Sequence, residues 1–211
     1  MHSVRVVLIG GTSNTGKSTV AQVVAETLGF AYRSTDGLAR HPGRPWRTPE
    51  RQVPTHVAEH YRSLTVDELI ASVLDHYERL WPRVQELITD AAAGRGSGAG
   101  LVLEGSGLWP AWVAGLTTPR TAAVWLTAAD TVIRTRIHEA GRYAGASGGE
   151  RHLMDKFLAR TVRCQTLMLD DVNGLGLDRI DAGDGRSVED LAGAVLAAAD
   201  TQYAVGRSSA G

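Results

Sequence analysis

The chain has 211 residues, 43% of them hydrophobic and 21% charged, which suits a single domain with a core of ordinary size. Its net charge of −1 gives no electrostatic basis for nucleic acid or a membrane surface as the main partner. The only cysteine, Cys164, excludes a disulfide framework and a cysteine-based metal centre. Neither a signal peptide nor an apolar run long enough to span a bilayer is read from the sequence, so a cytoplasmic protein is expected.

The first element in chain order is a strand. Val4-Arg5-Val6-Val7-Leu8-Ile9 is β-branched and continuous, the pattern of a buried strand. Next comes Gly11-Thr12-Ser13-Asn14-Thr15-Gly16-Lys17-Ser18, which fits G-x-x-x-x-G-K-[ST] at every fixed position. Val20, Val23, Val24, Thr27 and Leu28 then recur at helical spacing, and Gly29 can close that helix. Strand, glycine loop and helix in this order aim backbone N–H groups and a helix N-terminus at phosphate. Lys17 is one of only two lysines in a chain with 20 arginines. A compact ammonium suits the β- and γ-phosphates of a nucleotide better than a planar guanidinium. The loop therefore predicts ATP bound through Gly11, Thr12, Ser13, Asn14, Thr15, Gly16, Lys17, Ser18 and Thr19. The Ser18 hydroxyl is expected to face Mg²⁺.

A second strand is predicted at Phe30-Ala31-Tyr32-Arg33, followed by Ser34-Thr35-Asp36. Residues 37–54 read as irregular, with Pro42, Pro45, Pro49 and Pro54 and with Arg40, Arg44, Arg47 and Arg51. A short helix is predicted over 55–63. Thr65-Val66-Asp67-Glu68 is a capping box that opens one long helix, its apolar stripe running from Val66 to Ala91 through Pro82. Gly94 to Gly100 reads as a connector.

Leu101-Val102-Leu103-Glu104 is the third predicted strand and Thr121 to Leu126 the fourth. A helix from Asp130 to His138 leads into a glycine-rich segment, Gly141 to Gly149, and a further helix is expected from His152 to about Asp170. Leu177 to Asp181 is the fifth strand, and Ser187-Val188-Glu189-Asp190 opens the last helix. This alternation predicts an α/β fold of three layers, a five-stranded parallel sheet between helices. Residues 1–211 are expected to form one domain, with a helical substrate insert at about 37–93 and a lid at about 139–151.

In a parallel sheet, ligands gather at the carboxyl ends of the strands. Lys17 and Ser18 follow strand one, Asp36 follows strand two and Glu104 ends strand three. Asp36 is placed to orient an acceptor hydroxyl or take its proton. It would equally serve as a turn cap. Glu104 is a candidate ligand of Mg²⁺, through water, or a substrate contact. Arg40, Arg44 and Arg47 are candidates for gripping an anionic acceptor, against the plainer reading of a solvated loop. Of the arginines in or beside the glycine-rich segment (Arg134, Arg136, Arg142 and Arg151), Arg142 is the first choice for closing on the transferring phosphate. Trp109 and Trp112 fit either core or pocket wall. The histidines show no metal-ligand spacing, the isolated pair His56 and His60 included.

With these blocks in hand, the chain resembles the P-loop small-molecule and nucleotide kinases, and most of all the 2-phosphoglycerate kinase-like proteins. The likeness rests on Ile9-Gly10-Gly11, Ser34-Thr35-Asp36, Glu104-Gly105 with Leu108 and Pro110, and Phe157, Arg163 and Gln165. Gly107 stands where that family typically has His. The resemblance implies transfer of the γ-phosphoryl of ATP, with Mg²⁺, to a hydroxyl of a small metabolite, sugar-like compound or natural product. A nucleoside monophosphate kinase and a non-catalytic ATP-binding module are the alternatives. A GTP switch is excluded, because strand three ends Leu103-Glu104-Gly105-Ser106 instead of D-x-x-G and no N-K-x-D occurs.

Overall fold

The computed structural model describes residues 4–39, 42–48, 52–95 and 99–208. Its frame is a single five-stranded sheet. In chain order the strands are β1 (Val6–Gly10), β2 (Ala31–Ser34), β3 (Leu101–Glu104), β4 (Thr121–Thr127) and β5 (Arg179–Asp181). They lie in the order β2-β3-β1-β4-β5 and every pairing is parallel. The helices are α1 (Lys17–Leu28), α2 (Thr55–Ser63), α3 (Val66–Ala92), α4 (Pro110–Ala114), α5 (Asp130–Ala140), α6 (Gly148–Gly174) and α7 (Val188–Ser208). One-turn 3₁₀ helices occupy Thr35–Gly37 and Tyr143–Gly145. This is the α/β arrangement of P-loop kinases.

The central strand shows why the sheet must be covered on both faces. All five residues of β1 are buried. Val7 and Ile9 point into a core shared with Val20 and Val24 of α1 and Leu191 and Val195 of α7. Val6 and Leu8 point the other way, towards Leu80, Val84 and Ile88 of α3 and Met168 and Val172 of α6. Period-two alternation thus divides one apolar strand between two cores. A third cluster lies beyond the sheet's carboxyl edge. There Trp46, Val57, Tyr61 and Leu69 from the 37–93 region meet Ile133, Ile137 and Phe157 from α5 and α6.

The long helix α3 has the predicted start. Thr65 accepts from the Glu68 backbone N–H, and the Glu68 carboxylate accepts from the Thr65 N–H at 2.7 Å. Pro82 lies inside the helix without ending it. The helix α6 begins four residues before the predicted His152. Ser147 caps it, and Glu150 completes a second capping box by accepting from the Ser147 N–H at 2.8 Å. Glycine is tolerated in a first helical turn when the cap is this strong, so Gly148 and Gly149 are helical here rather than loop. The strand β5 is shorter than expected, starting at Arg179 and not Leu177. Among the described residues no helix is long and apolar enough to cross a membrane.

Candidate active site

The loop between β1 and α1 is where backbone geometry is most constrained. Gly11 has φ +138°, and a Cβ there would collide with the Leu126 carbonyl oxygen. Gly16, at φ +91°, opens α1 without a side-chain cap, leaving the first N–H groups of the helix for a ligand. Asn14 is also left-handed, at φ +64°. Thr15 Oγ1 donates to the Thr12 carbonyl at 3.0 Å, and Lys17 Nζ donates to the same oxygen at 2.6 Å. The Thr12 hydroxyl and the Asn14 side-chain oxygen are buried without partners. A glycine-bounded turn with orphaned polar atoms and a buried ammonium fits the phosphates of a nucleotide.

Lys17 is only 7% exposed. Burial pushes its ammonium below the usual lysine range, while the Glu104 and then the Asp36 carboxylates pull it back up and Arg44 pushes it down. Both acids thus lie within electrostatic reach of the P-loop lysine. Glu104, at the end of β3, is 3% exposed. Its Oε1 accepts from Ser18 Oγ at 3.1 Å and from the Tyr32 hydroxyl at 3.1 Å. An all-oxygen pair of one hydroxyl and one carboxylate suits Mg²⁺, which takes one or two carboxylates and completes its shell with water and substrate phosphate. Asp36 sits in the 3₁₀ turn after β2, where its backbone N–H donates to Ser34 Oγ at 3.3 Å. The turn is capped by Ser34, which leaves the exposed Asp36 carboxylate to line the cleft.

These groups share one cavity of about 520 Å³, lined among others by Lys17, Ser18, Asp36, Arg44, Glu104 and Arg136. Its far wall comes from α3 and α6, through Val73, His76, Tyr77, Phe157 and Arg160. Burial and the neighbouring Arg79 hold the His76 imidazole below its usual range, opposed by Asp36. Burial likewise pushes the Tyr77 phenol up, so it stays a neutral hydrogen-bonding group.

The arginines fall differently from the sequence expectation. Arg44 lines the cavity, whereas Arg47 lies outside it, pairing with Glu150 at 3.5 Å. Arg40 lies outside the described residues. Arg142 is exposed and lines a separate recess of about 360 Å³ with Trp46, Arg47 and Met154. Gly141 beside it is buried against Met154, and a Cβ there would collide with that thioether sulfur, so this glycine serves close packing. It is Arg136, half-buried on α5, that reaches the P-loop, donating to the Asn14 carbonyl at 3.2 Å and the Ala182 carbonyl at 2.8 Å. Sequence reading grouped Arg136 with the lid arginines. Its position on the inward side of α5, one residue before the buried Ile137, was the available signal.

Arg160, His76 and Tyr77 were not anticipated. Their helices were legible, but which helix face meets the cleft depends on how α3 and α6 cross the sheet. Trp112 does not line the cleft, and Trp109 lines only a small recess of about 20 Å³ that shares Val73, Tyr77 and Arg160 with it. Trp109 Nε1 donates to Asp171 at 2.8 Å, and Trp112 packs against Trp81. Among the described residues no cluster of three or more His, Cys, Asp or Glu side chains could hold a metal alone.

No family model matches the chain, and no curated protein matches it. Its fold does have solved counterparts. A gluconokinase from Sinorhizobium meliloti 1021 superposes with a TM-score of 0.54 at 18% identity, covering 99% of both chains. A sugar kinase from Janibacter sp. HTCC2649 gives 0.54 at 22% identity over 96% of this chain and 98% of its own. The shikimate kinase of Aquifex aeolicus gives 0.53 at 12% identity over 93% and 97%. The chain therefore has the fold of the P-loop small-molecule kinases. None of these three is a 2-phosphoglycerate kinase.

Proposed function

We propose that this protein is an ATP-dependent kinase that phosphorylates a hydroxyl of a small molecule. The observation that carries the reading is one cavity holding the P-loop lysine, the Ser18–Glu104 oxygen pair and the Asp36 carboxylate. A pure nucleotide-binding module has no need of a second carboxylate in a cavity next to the phosphates.

In this reading the acceptor oxygen attacks the γ-phosphorus and the bond to the β-bridging oxygen breaks, releasing ADP. Asp36 orients the acceptor hydroxyl and takes its proton. Lys17 and the first N–H groups of α1 hold the β- and γ-phosphates, and their charge opposes the charge on the transferring group. Ser18 and Glu104 would hold Mg²⁺, which when bound neutralises phosphate charge. Arg136, already seated on the P-loop carbonyl of Asn14, fixes the loop and lends positive charge beside it. Arg44 faces the acceptor end. Arg142 would join only by movement of the segment after α5. The protein's contribution is positioning and fixed charge, with no covalent intermediate.

The test is an ADP-release screen with ATP and Mg²⁺ over separate acceptors: hydroxy acids, sugars, phosphoglycerates, nucleoside monophosphates and aminocyclitols. Acceptor-stimulated release, with phosphorylated product seen by mass spectrometry, is the expected result. Stimulation by nucleoside monophosphates alone would reassign the acceptor to a phosphate. No stimulation by any acceptor would sink the reading.

A further inference from the structure

Arg160 stands halfway along α6, 7% exposed, and lines the cleft. One of its terminal nitrogens donates to the Tyr61 hydroxyl at 2.7 Å. The guanidinium lies over the Phe157 ring, 4.6 Å from its centroid, and 5.5 Å from that of Tyr61. Among the described residues no carboxylate forms an ion pair with it. The ion pairs among the described residues join Arg47 to Glu150, Arg95 to Asp90 and Arg186 to Asp184. Its charge is felt by His60, Tyr61, Tyr77 and Cys164, none of them a carboxylate.

The other inward cations of the cleft are served differently. Lys17 has the Thr12 carbonyl and two nearby acids. Arg136 has two backbone carbonyls. A guanidinium carries five N–H donors, and a desolvated one without a counter-charge is costly to keep. Stacking on Phe157 and Tyr61 holds its plane in place and leaves the remaining donors for the cleft. Around it the wall is apolar and aromatic, made by Val73, Tyr77 and Phe157, while Asp36 lies in the same space.

We propose that Arg160 is the counter-charge for an oxyanion carried by the phosphoryl acceptor itself. The substrate class is then a small hydroxylated carboxylate or phosphate monoester, with its anion on Arg160 and its hydroxyl towards Asp36. This rests on the kinase reading above and adds the acceptor's charge to it. The arginine-rich loop that the sequence singled out for this task contributes Arg44 at the rim, and the buried anchor comes from α6.

The experiment pairs charged and neutral probes: shikimate with its methyl ester, gluconate with glucitol, and glycerol 3-phosphate with glycerol. Each is assayed for ADP release and, separately, for binding by isothermal titration in the presence of ADP. Wild type, Arg160→Gln and Arg160→Lys are compared. In wild type at least one anion should bind tighter than its neutral partner by about tenfold or more, the scale of one charge-assisted bond. Arg160→Gln should raise the KM or Kd of that anion by roughly ten- to a hundredfold, leaving the neutral partner and ATP unchanged. Arg160→Lys should fall between. The family of anion that responds separates carboxylate from phosphate.

If no probe is turned over but an anion binds through Arg160, the kinase reading fails and the oxyanion site stands. If neutral partners bind as well as their anions in wild type, or no anion binds, the proposal is overturned. It is overturned too if Arg160→Gln weakens anion and neutral partner equally, since Arg160 then only braces Tyr61 and Phe157. Should the glutamine variant unfold, the wild-type preference and the lysine variant decide alone.

Discussion

In the proposed reading the two ends of the cleft, one for phosphate and one for the acceptor, are built on different plans. The phosphate end is one contiguous stretch, Gly11 to Ser18, in which backbone groups form the cradle and one lysine supplies the charge. The acceptor end is assembled from four places: the turn at Asp36, the loop at Arg44, α3 at His76 and Tyr77, and α6 at Arg160. The first depends on local geometry that a short sequence fixes by itself. The second exists only once long helices have crossed the sheet. A phosphate cradle can therefore stay constant while the acceptor wall is rewritten residue by residue.

Substitutions at each end should separate the two plans, and the largest effect belongs to the cradle. Lys17→Ala should cut phosphoryl transfer by about 10³-fold or more and weaken ATP binding, with the melting temperature unchanged. Normal turnover in that variant would break the comparison at once. Asp36→Asn should lower kcat by roughly 10²–10³ while ATP affinity holds, because in the proposed reading its contact is with the acceptor. A loss of only a fewfold in steady-state kcat would return Asp36 to a turn cap. Glu104→Gln should raise the Mg²⁺ concentration needed for half-maximal rate by about tenfold, read from a magnesium titration. An unchanged titration would leave Glu104 as a partner of Tyr32 and Ser18 only.

Two arginines sharpen the picture further. Arg136→Ala should lower kcat/KM for ATP by roughly tenfold, through loss of its bonds to the P-loop and to Ala182. Arg142→Ala, away from the cleft, should change the same constant less than about twofold unless the segment after α5 closes during turnover. A kcat loss in Arg142→Ala equal to that of Arg136→Ala would demonstrate such closure. The smallest effect concerns stability alone. Ser147→Ala removes the cap of α6 and should cost about 1 kcal/mol, or roughly 2–4 °C in Tm, with ATP affinity unaltered. A change in acceptor KM there would tie the cap to the site.

What the sequence made legible follows the same division. The succession of strands and helices, the P-loop and the capping box at Thr65 rest on local patterns, and the fold class was readable from them, whereas the order of the strands across the sheet was not. Asp36 and Glu104, which line one cavity, could be singled out because strand ends in a parallel sheet share one edge. Ser147-Gly148-Gly149-Glu150 carried an equally local signal, a capping box, but its two glycines resembled a loop and hid it. Arg160 gave no local signal. It is one arginine among 20, and only its burial over Phe157, in a structure, distinguishes it.

The contacts of the helix α6 are unevenly placed along its length. Its 27 residues form a bar about 40 Å long. Gln165 pins it to the end of β4 by exchanging hydrogen bonds with both the N–H and the carbonyl of Ala128. Beyond that point Asp171 is held by Trp109, and Met168 and Val172 are buried under the sheet. The other arm leaves the sheet and packs through Leu153, Met154, Phe157 and Leu158 into the third cluster on its way to Ser147, where Glu150 meets Arg47. Arg160 sits close to this pin, about 7 Å along the axis from Gln165, whereas the first turn is about 27 Å away. A swing of about 4 Å at the tip then displaces the guanidinium by only about 1 Å. Any tilt of the helix about Gln165 therefore moves the charge in the cleft far less than it moves the outer end.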